Sequence, residues 1–138
     1  MDEHSNDLVV FYGTLLGHYS TQDIFGIRDH FEFLEDCSFS ARLYDQGEYP
    51  FVLLGGGTVY GELYRVLDKS AWQQLHEWEE YYPENHEESQ YLLREIELIK
   101  PVQTKALVYE WNSPLQGQPE IVSGRWDKPE EEIEHWLQ

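Results

Sequence analysis

Three things are scarce in this chain: cysteine, positive charge and long apolar runs. Cys37 is the single cysteine, and 9 lysines and arginines face 27 aspartates and glutamates. No apolar stretch approaches the ~20 residues that a membrane-spanning helix needs. One thiol excludes a disulfide framework within the chain and makes a reducing compartment the expected home. The net charge of −18 argues against nucleic acid or an anionic membrane as partner, because phosphate repels such a surface. No basic, apolar leader stands at Met1-Asp2-Glu3-His4, so a cytoplasmic protein is expected. The histidines (His4, His18, His30, His76, His86 and His135) do not pair at helix or finger spacing, and no metal site is expected. Gly55-Gly56-Gly57 lacks both the lysine-serine/threonine ending and the spaced glycines of a nucleotide-binding loop. Cys37 lies among Asp36, Ser38 and Phe39 without a glycine elbow, which reads as an inert thiol rather than a nucleophile.

What is present fits one domain spanning residues 1–138. A chain of this length buries about two thirds of its unfolded surface and needs no staple. The acids concentrate in 77–88 and 130–134. They read as a solvated coat on exposed helix and loop segments, in preference to an acidic mimic of nucleic acid that would occupy a basic protein.

The pattern predicts a strand at 8–12, a short helix and then a strand within 20–36, and a strand at 41–44. A turn follows at 45–50, an apolar run at 51–54 and a glycine turn at 55–57. Further strands are expected at 58–67, 91–99 and 104–111. Asp68 is placed to cap a helix over 69–80. Asp127 or Lys128, then Pro129 and three glutamates, opens a C-terminal helix. About six short strands and two helices give an α+β class. The short connections favour antiparallel pairing, and closure into a small, mostly antiparallel barrel would remove exposed edges.

Two polar residues sit where apolar ones belong. At 100° per residue, Ala71, Leu75 and Trp78 define one face of the central helix, and Glu79 falls about 50° from its centre. Glu77 and Glu80 fall about 150° away, in water. Two readings of Glu79 are open: a helix-end carboxylate leaning out to solvent, or a carboxyl in a partly dry pocket, its pKa raised for acid/base work. In the strand at 91–99, Arg94 shares a face with Leu92, Ile96 and Leu98. An arginine in an apolar row calls for a carboxylate partner or an anionic ligand, and Glu62 is a candidate partner.

Four blocks in order, VVFYGTL at 9–15, SARLYDQGEYP at 40–50, TVYGELYRVL at 58–67 and LHEWEEY at 75–81, resemble the gamma-glutamylcyclotransferase-like (AIG2-like) family. The resemblance extends to Ser123-Gly124-Arg125-Trp126. It implies a small mixed barrel flanked by helices. It also implies an enzyme that cyclises a gamma-glutamyl group to 5-oxoproline and releases an amine, with a small gamma-glutamyl compound as substrate and no cofactor. The family's tyrosine-glycine-x-leucine substrate turn falls on Tyr12, Gly13, Thr14 and Leu15, and its catalytic glutamate on Glu79, after Trp78. Arg94 is then expected to organise the pocket through an ion pair.

Three positions depart from the pattern and bear on substrate identity. His76 stands where aspartate is frequent, and Glu80 where glycine is frequent. Leu92 holds the place of a tyrosine, which here is Tyr91. A turn at the end of a buried strand would expose backbone N–H groups to a carboxylate or an oxyanion, and Gly13 would let a ligand approach the backbone closely. The alternative on the same scaffold is a small-ligand-binding or interaction protein without turnover.

Overall fold

A computed structural model of the chain describes residues 7–13, 28–47 and 49–126. The helices expected within 20–27 and after Asp127 lie outside these residues, as do Thr14 and Leu15. In chain order the described elements are β1 (Leu8–Phe11), β2 (Phe31–Asp45), β3 (Pro50–Val66), α1 (Ser70–Glu79), β4 (Tyr91–Glu97) and β5 (Lys105–Trp111). Short 3-10 turns stand at Arg28–His30 and His86–Glu88.

The strands form one sheet in the order β2-β3-β1-β5-β4. Only the β1–β5 pair is parallel. The class is α+β and the pairing mostly antiparallel, as the pattern implies, but the sheet does not close into a barrel. A single bridge ties its two ends: Ser38 of β2 donates its N–H to the Lys100 carbonyl at 3.0 Å and accepts the Ile99 N–H at 2.8 Å. β4 stops at Glu97, so no continuous ladder reaches β2.

β1 is the inner strand, paired on both sides, and this is why Val9-Val10-Phe11 reads as an unbroken apolar run. The core around it includes Phe39, Phe51, Val52, Val59, Leu75 and Val108, all fully buried.

The glycine triplet does not end a strand. Ser40 pairs with Thr58 and Ala41 with Leu54, so residues 55–57 bulge out of β3 while the ladder continues on both sides. Gly55 and Gly56 have φ of 90° and 82°, a conformation that side chains resist, so the bulge needs glycine. Among the described residues, five strands, two of them long, therefore stand where about six short ones are expected. The turn at 45–50 is where the pattern puts it. Gly47 donates its N–H to Asp45 Oδ1 at 2.7 Å, and Gln46 donates to the Tyr49 carbonyl at 3.1 Å. This hairpin delivers Tyr49 and Pro50 to the end of β1.

α1 starts one residue later than expected: Lys69, not Asp68, is its N-cap and has no side-chain cap bond, while Asp68 forms the turn that precedes it. The Asp68 carboxylate accepts the Ser70 N–H at 2.9 Å, and its carbonyl accepts that of Ala71 at 3.0 Å. Ala71, Trp72 and Leu75 bury the inner face. The helix ends because Glu80 turns left-handed, at φ 52° and ψ 48°, and the Tyr81 N–H returns to the His76 carbonyl at 2.8 Å.

Candidate active site

The end of β1, the β2–β3 turn and the C-terminal end of α1 enclose a cavity of about 180 Å³. Its deep wall consists of buried residues: Val10, Phe11, Tyr12, Gly13, Pro50, Tyr91 and Tyr109. Its rim carries Tyr49, Trp78, Glu80 and Gln90, which keep part or most of their surface in water. Glu79 lies on the same cavity.

Two phenols define the wall. Tyr12 donates its hydroxyl proton to the Tyr109 carbonyl at 2.8 Å, and Tyr91 donates to the Pro50 carbonyl at 2.9 Å. The Val52 N–H also serves the Tyr12 oxygen. Burial, together with the nearby Glu79 carboxylate, raises both phenol pKa values well above the usual range and keeps both rings neutral. An aromatic column backs this wall. Phe51 stacks on Trp111 with centroids 4.4 Å apart and on Tyr44 at 5.3 Å, and Tyr91 meets the Trp111 edge at 5.4 Å. On the other side, Tyr109 Oη lies 2.9 Å from His76 Nδ1 on α1. The wall is thus pinned to the sheet and to the helix.

Glu79 is the anomaly within this wall. The neighbouring phenol protons point at main-chain carbonyls, and among the described residues no hydrogen bond or ion pair reaches the Glu79 carboxyl. Among the described residues, burial is what acts on it, and it pushes the pKa to about 8. The residue is half-buried and lies on the cavity, the position that the dry-pocket reading expects.

Gly13 lines the cavity, but its missing side chain leaves room for protein. A Cβ there would stand 2.6 Å from Pro50 Cγ and 2.9 Å from Cδ. The close approach is therefore between the β1 turn and the β2–β3 turn, which seals that corner of the cavity.

Arg94 is placed otherwise than expected. Its side chain is 50% exposed and does not line the cavity. Its partner is Glu110, with Nε 3.1 Å from Oε1, and not Glu62, which accepts the Tyr64 hydroxyl at 2.8 Å. The reason is the sheet edge. β4 pairs only with β5, and Arg94 sits opposite Val108 on an edge strand open to solvent. The other oxygen of Glu110 accepts the Leu54 N–H at 3.0 Å, so the pair ties β4 and β5 to β3.

Sequence reasoning missed Tyr49, Pro50, Gln90, Tyr91 and Tyr109 as wall and rim. Tyr91 was visible as a displaced aromatic, and Tyr49-Pro50 as the end of a turn. Nothing in the alternation of β5 singled out Tyr109. Glu80 faces water as the wheel predicts, yet also reaches the rim, because the left-handed turn there takes it off the helical spacing. Cys37 is buried and its thiol is pushed up to about 12, chiefly by that burial, which suits the inert reading. A wider, shallower depression of about 440 Å³ flanks α1 at Trp72, His76, Tyr81 and Tyr82, away from Glu79.

Solved structures of other proteins share this fold. The fold is shared with the uncharacterized protein PH0828 from Pyrococcus horikoshii (25% identity, 96% of this chain and 98% of that one, TM-score 0.65). It is shared also with ytfP from Escherichia coli (27% identity, 86% and 95%, TM-score 0.64). An AIG2-like protein from Mus musculus has the same fold at 20% identity, over 88% of each chain, with a TM-score of 0.64. No curated protein matches the chain. The family profile described as gamma-glutamyl cyclotransferase, AIG2-like, matches residues 9–128, and the chain belongs to that family.

Proposed function

We propose that this protein converts a gamma-glutamyl amine or peptide to 5-oxoproline and a free amine. The observation that carries the reading is Glu79: a carboxyl of raised pKa, without a partner among the described residues, on a cavity that Tyr12 and Gly13 of the strand-end turn also line. Family membership supports the same chemistry.

The reaction is intramolecular. The substrate's alpha-nitrogen forms a bond to its own gamma-carbonyl carbon, and the bond from that carbon to the leaving nitrogen breaks. A cavity that holds the folded-back conformer supplies much of the rate. Glu79 accepts a proton from the attacking nitrogen and delivers one to the departing nitrogen. A carboxyl of raised pKa suits both tasks, since it takes and returns a proton near neutrality. The turn that begins at Tyr12-Gly13 holds the glutamyl head with backbone N–H groups, and the family pattern assigns Thr14 and Leu15 to the same task. The buried free thiol of Cys37 suits a reducing, cytoplasmic setting.

A panel of gamma-glutamyl amino acids, amines and peptides, assayed for 5-oxoproline, tests the proposal. Release from at least one compound, lost in Glu79→Gln, is expected. Binding of these compounds without release across the panel would replace it with the non-catalytic ligand-binding reading.

A further inference from the structure

The rim of the cavity carries a charge that the proposed chemistry does not use. Glu80 lines the mouth, one residue beyond Glu79, and its side chain is exposed. The left-handed conformation that ends α1 fixes its backbone, and the Gln90 N–H holds its carbonyl at 2.9 Å. Its carboxylate is close enough to the buried wall to act on the Tyr91 phenol. Across the rim, Gln90 Nε2 donates to Tyr49 Oη at 3.0 Å, bridging two loops at the mouth. None of the described residues lining the cavity is lysine, arginine or histidine. The C-terminal end of the α1 dipole adds negative potential at the same place.

The cyclising atoms must lie against Glu79, within the buried part of the cavity. The departing amine, which varies between substrates, must then extend past the rim. We propose that Glu80 sets the charge preference for that amine: gamma-glutamyl compounds whose released amine bears a second positive charge are favoured over those whose released amine bears a carboxylate. The inference rests on the cyclisation reading for the direction of the leaving group. The physical source is ordinary Coulomb attraction at a partly desolvated mouth, so the preference weakens as salt rises.

Three substrates with the same five-carbon chain beyond the amide nitrogen test it: the gamma-glutamyl derivatives of 1,5-diaminopentane, n-pentylamine and 6-aminohexanoate. For the wild type, kcat/KM is expected to fall in that order. Glu80→Gln should shrink the ratio between the first and the last by about tenfold, and Glu80→Lys should invert it. Glu77→Gln removes the same charge from the solvent face of α1 and should leave the ratio unchanged. A ratio that survives Glu80→Gln, or that collapses equally in Glu77→Gln, overturns the assignment. If the wild type turns over none of the three, calorimetric binding replaces kcat/KM. The same charge order, lost in Glu80→Gln, would keep the role of Glu80 while removing the catalytic reading. Equal affinity for the cationic and anionic compounds would overturn the role of Glu80 itself.

Discussion

Glu79 and Arg94 have the same sequence signature, a charged residue within an apolar row, and the structure treats them in opposite ways. Glu79 ends a helix beside buried phenols and gains no partner among the described residues. Arg94 lies on an edge strand, half in water, and is paired with Glu110. A charge in an apolar row can be met by a partner or left unmet. Where solvent reaches, the partner adds little, and where it does not, the lone group changes its protonation. The unmet carboxyl is therefore the residue suited to chemistry, and the paired guanidinium is part of the surface.

The comparison breaks first on turnover. Glu79→Gln keeps the side-chain shape and removes the proton acceptor, and 5-oxoproline release should fall by about 100-fold or more. Arg94→Met should stay within a few-fold of wild type in the same assay, since Arg94 touches no cavity atom.

The pH profile comes next. The productive pair holds one proton between the Glu79 carboxyl and the substrate amine. Below pH 8 the free partners together hold one too many. With the carboxyl titrating at about 8, kcat/KM should rise about tenfold between pH 6.5 and pH 8. A flat profile across this interval would place the acid/base group elsewhere.

Packing gives a smaller effect. Gly13→Val forces a side chain onto the Pro50 ring and should cost about 1–3 kcal/mol in denaturant unfolding, with Gly13→Ala costing less. A midpoint equal to wild type would show that the two turns separate freely.

The smallest effects concern stability at the two charged sites. Arg94→Met should destabilise by less than about 1 kcal/mol, because the lost pair is solvent-exposed on the arginine side. Glu79→Gln should be neutral or stabilising at pH 7. The folded pKa of Glu79 is raised to about 8, so the folded state holds the proton more tightly than the unfolded chain. The contribution of Glu79 is fully present below the unfolded pKa of about 4.3, and is lost as pH rises from there through 8. Unfolding curves of Glu79→Gln and wild type should diverge over that window, with the variant gaining. A loss of stability in the variant would mean that the carboxylate has a structural partner.

The sequence made much of this legible. The apolar run of β1 and its glycine turn, the turn at Asp68 that leads into α1 and the inward lean of Glu79 follow from period and local chemistry, because each depends on neighbours within a turn or two. The glycine bulge did not, since three glycines look alike whether the ladder stops or resumes beyond them. The environment of Arg94 was also hidden. Alternation assigns a residue to a face but does not say what covers that face, and the edge position of β4 arises from the order of strands far apart in the chain. Glu80 escaped the wheel because the wheel assumes a helix where the chain has already turned away. The substrate-turn residues Thr14 and Leu15 rest on the family pattern.

The central claim is that Glu79 is a carboxyl whose pKa burial raises to about 8, so that it is largely neutral at pH 7. Its side-chain carboxyl carbon can be followed directly by NMR of carbon-13-labelled protein, assigned by comparison with Glu79→Gln. The account predicts a titration midpoint near 8, well apart from the other glutamates. A midpoint near the ordinary glutamate value of about 4.3 would show that the carboxyl is solvated or paired, and would contradict the account.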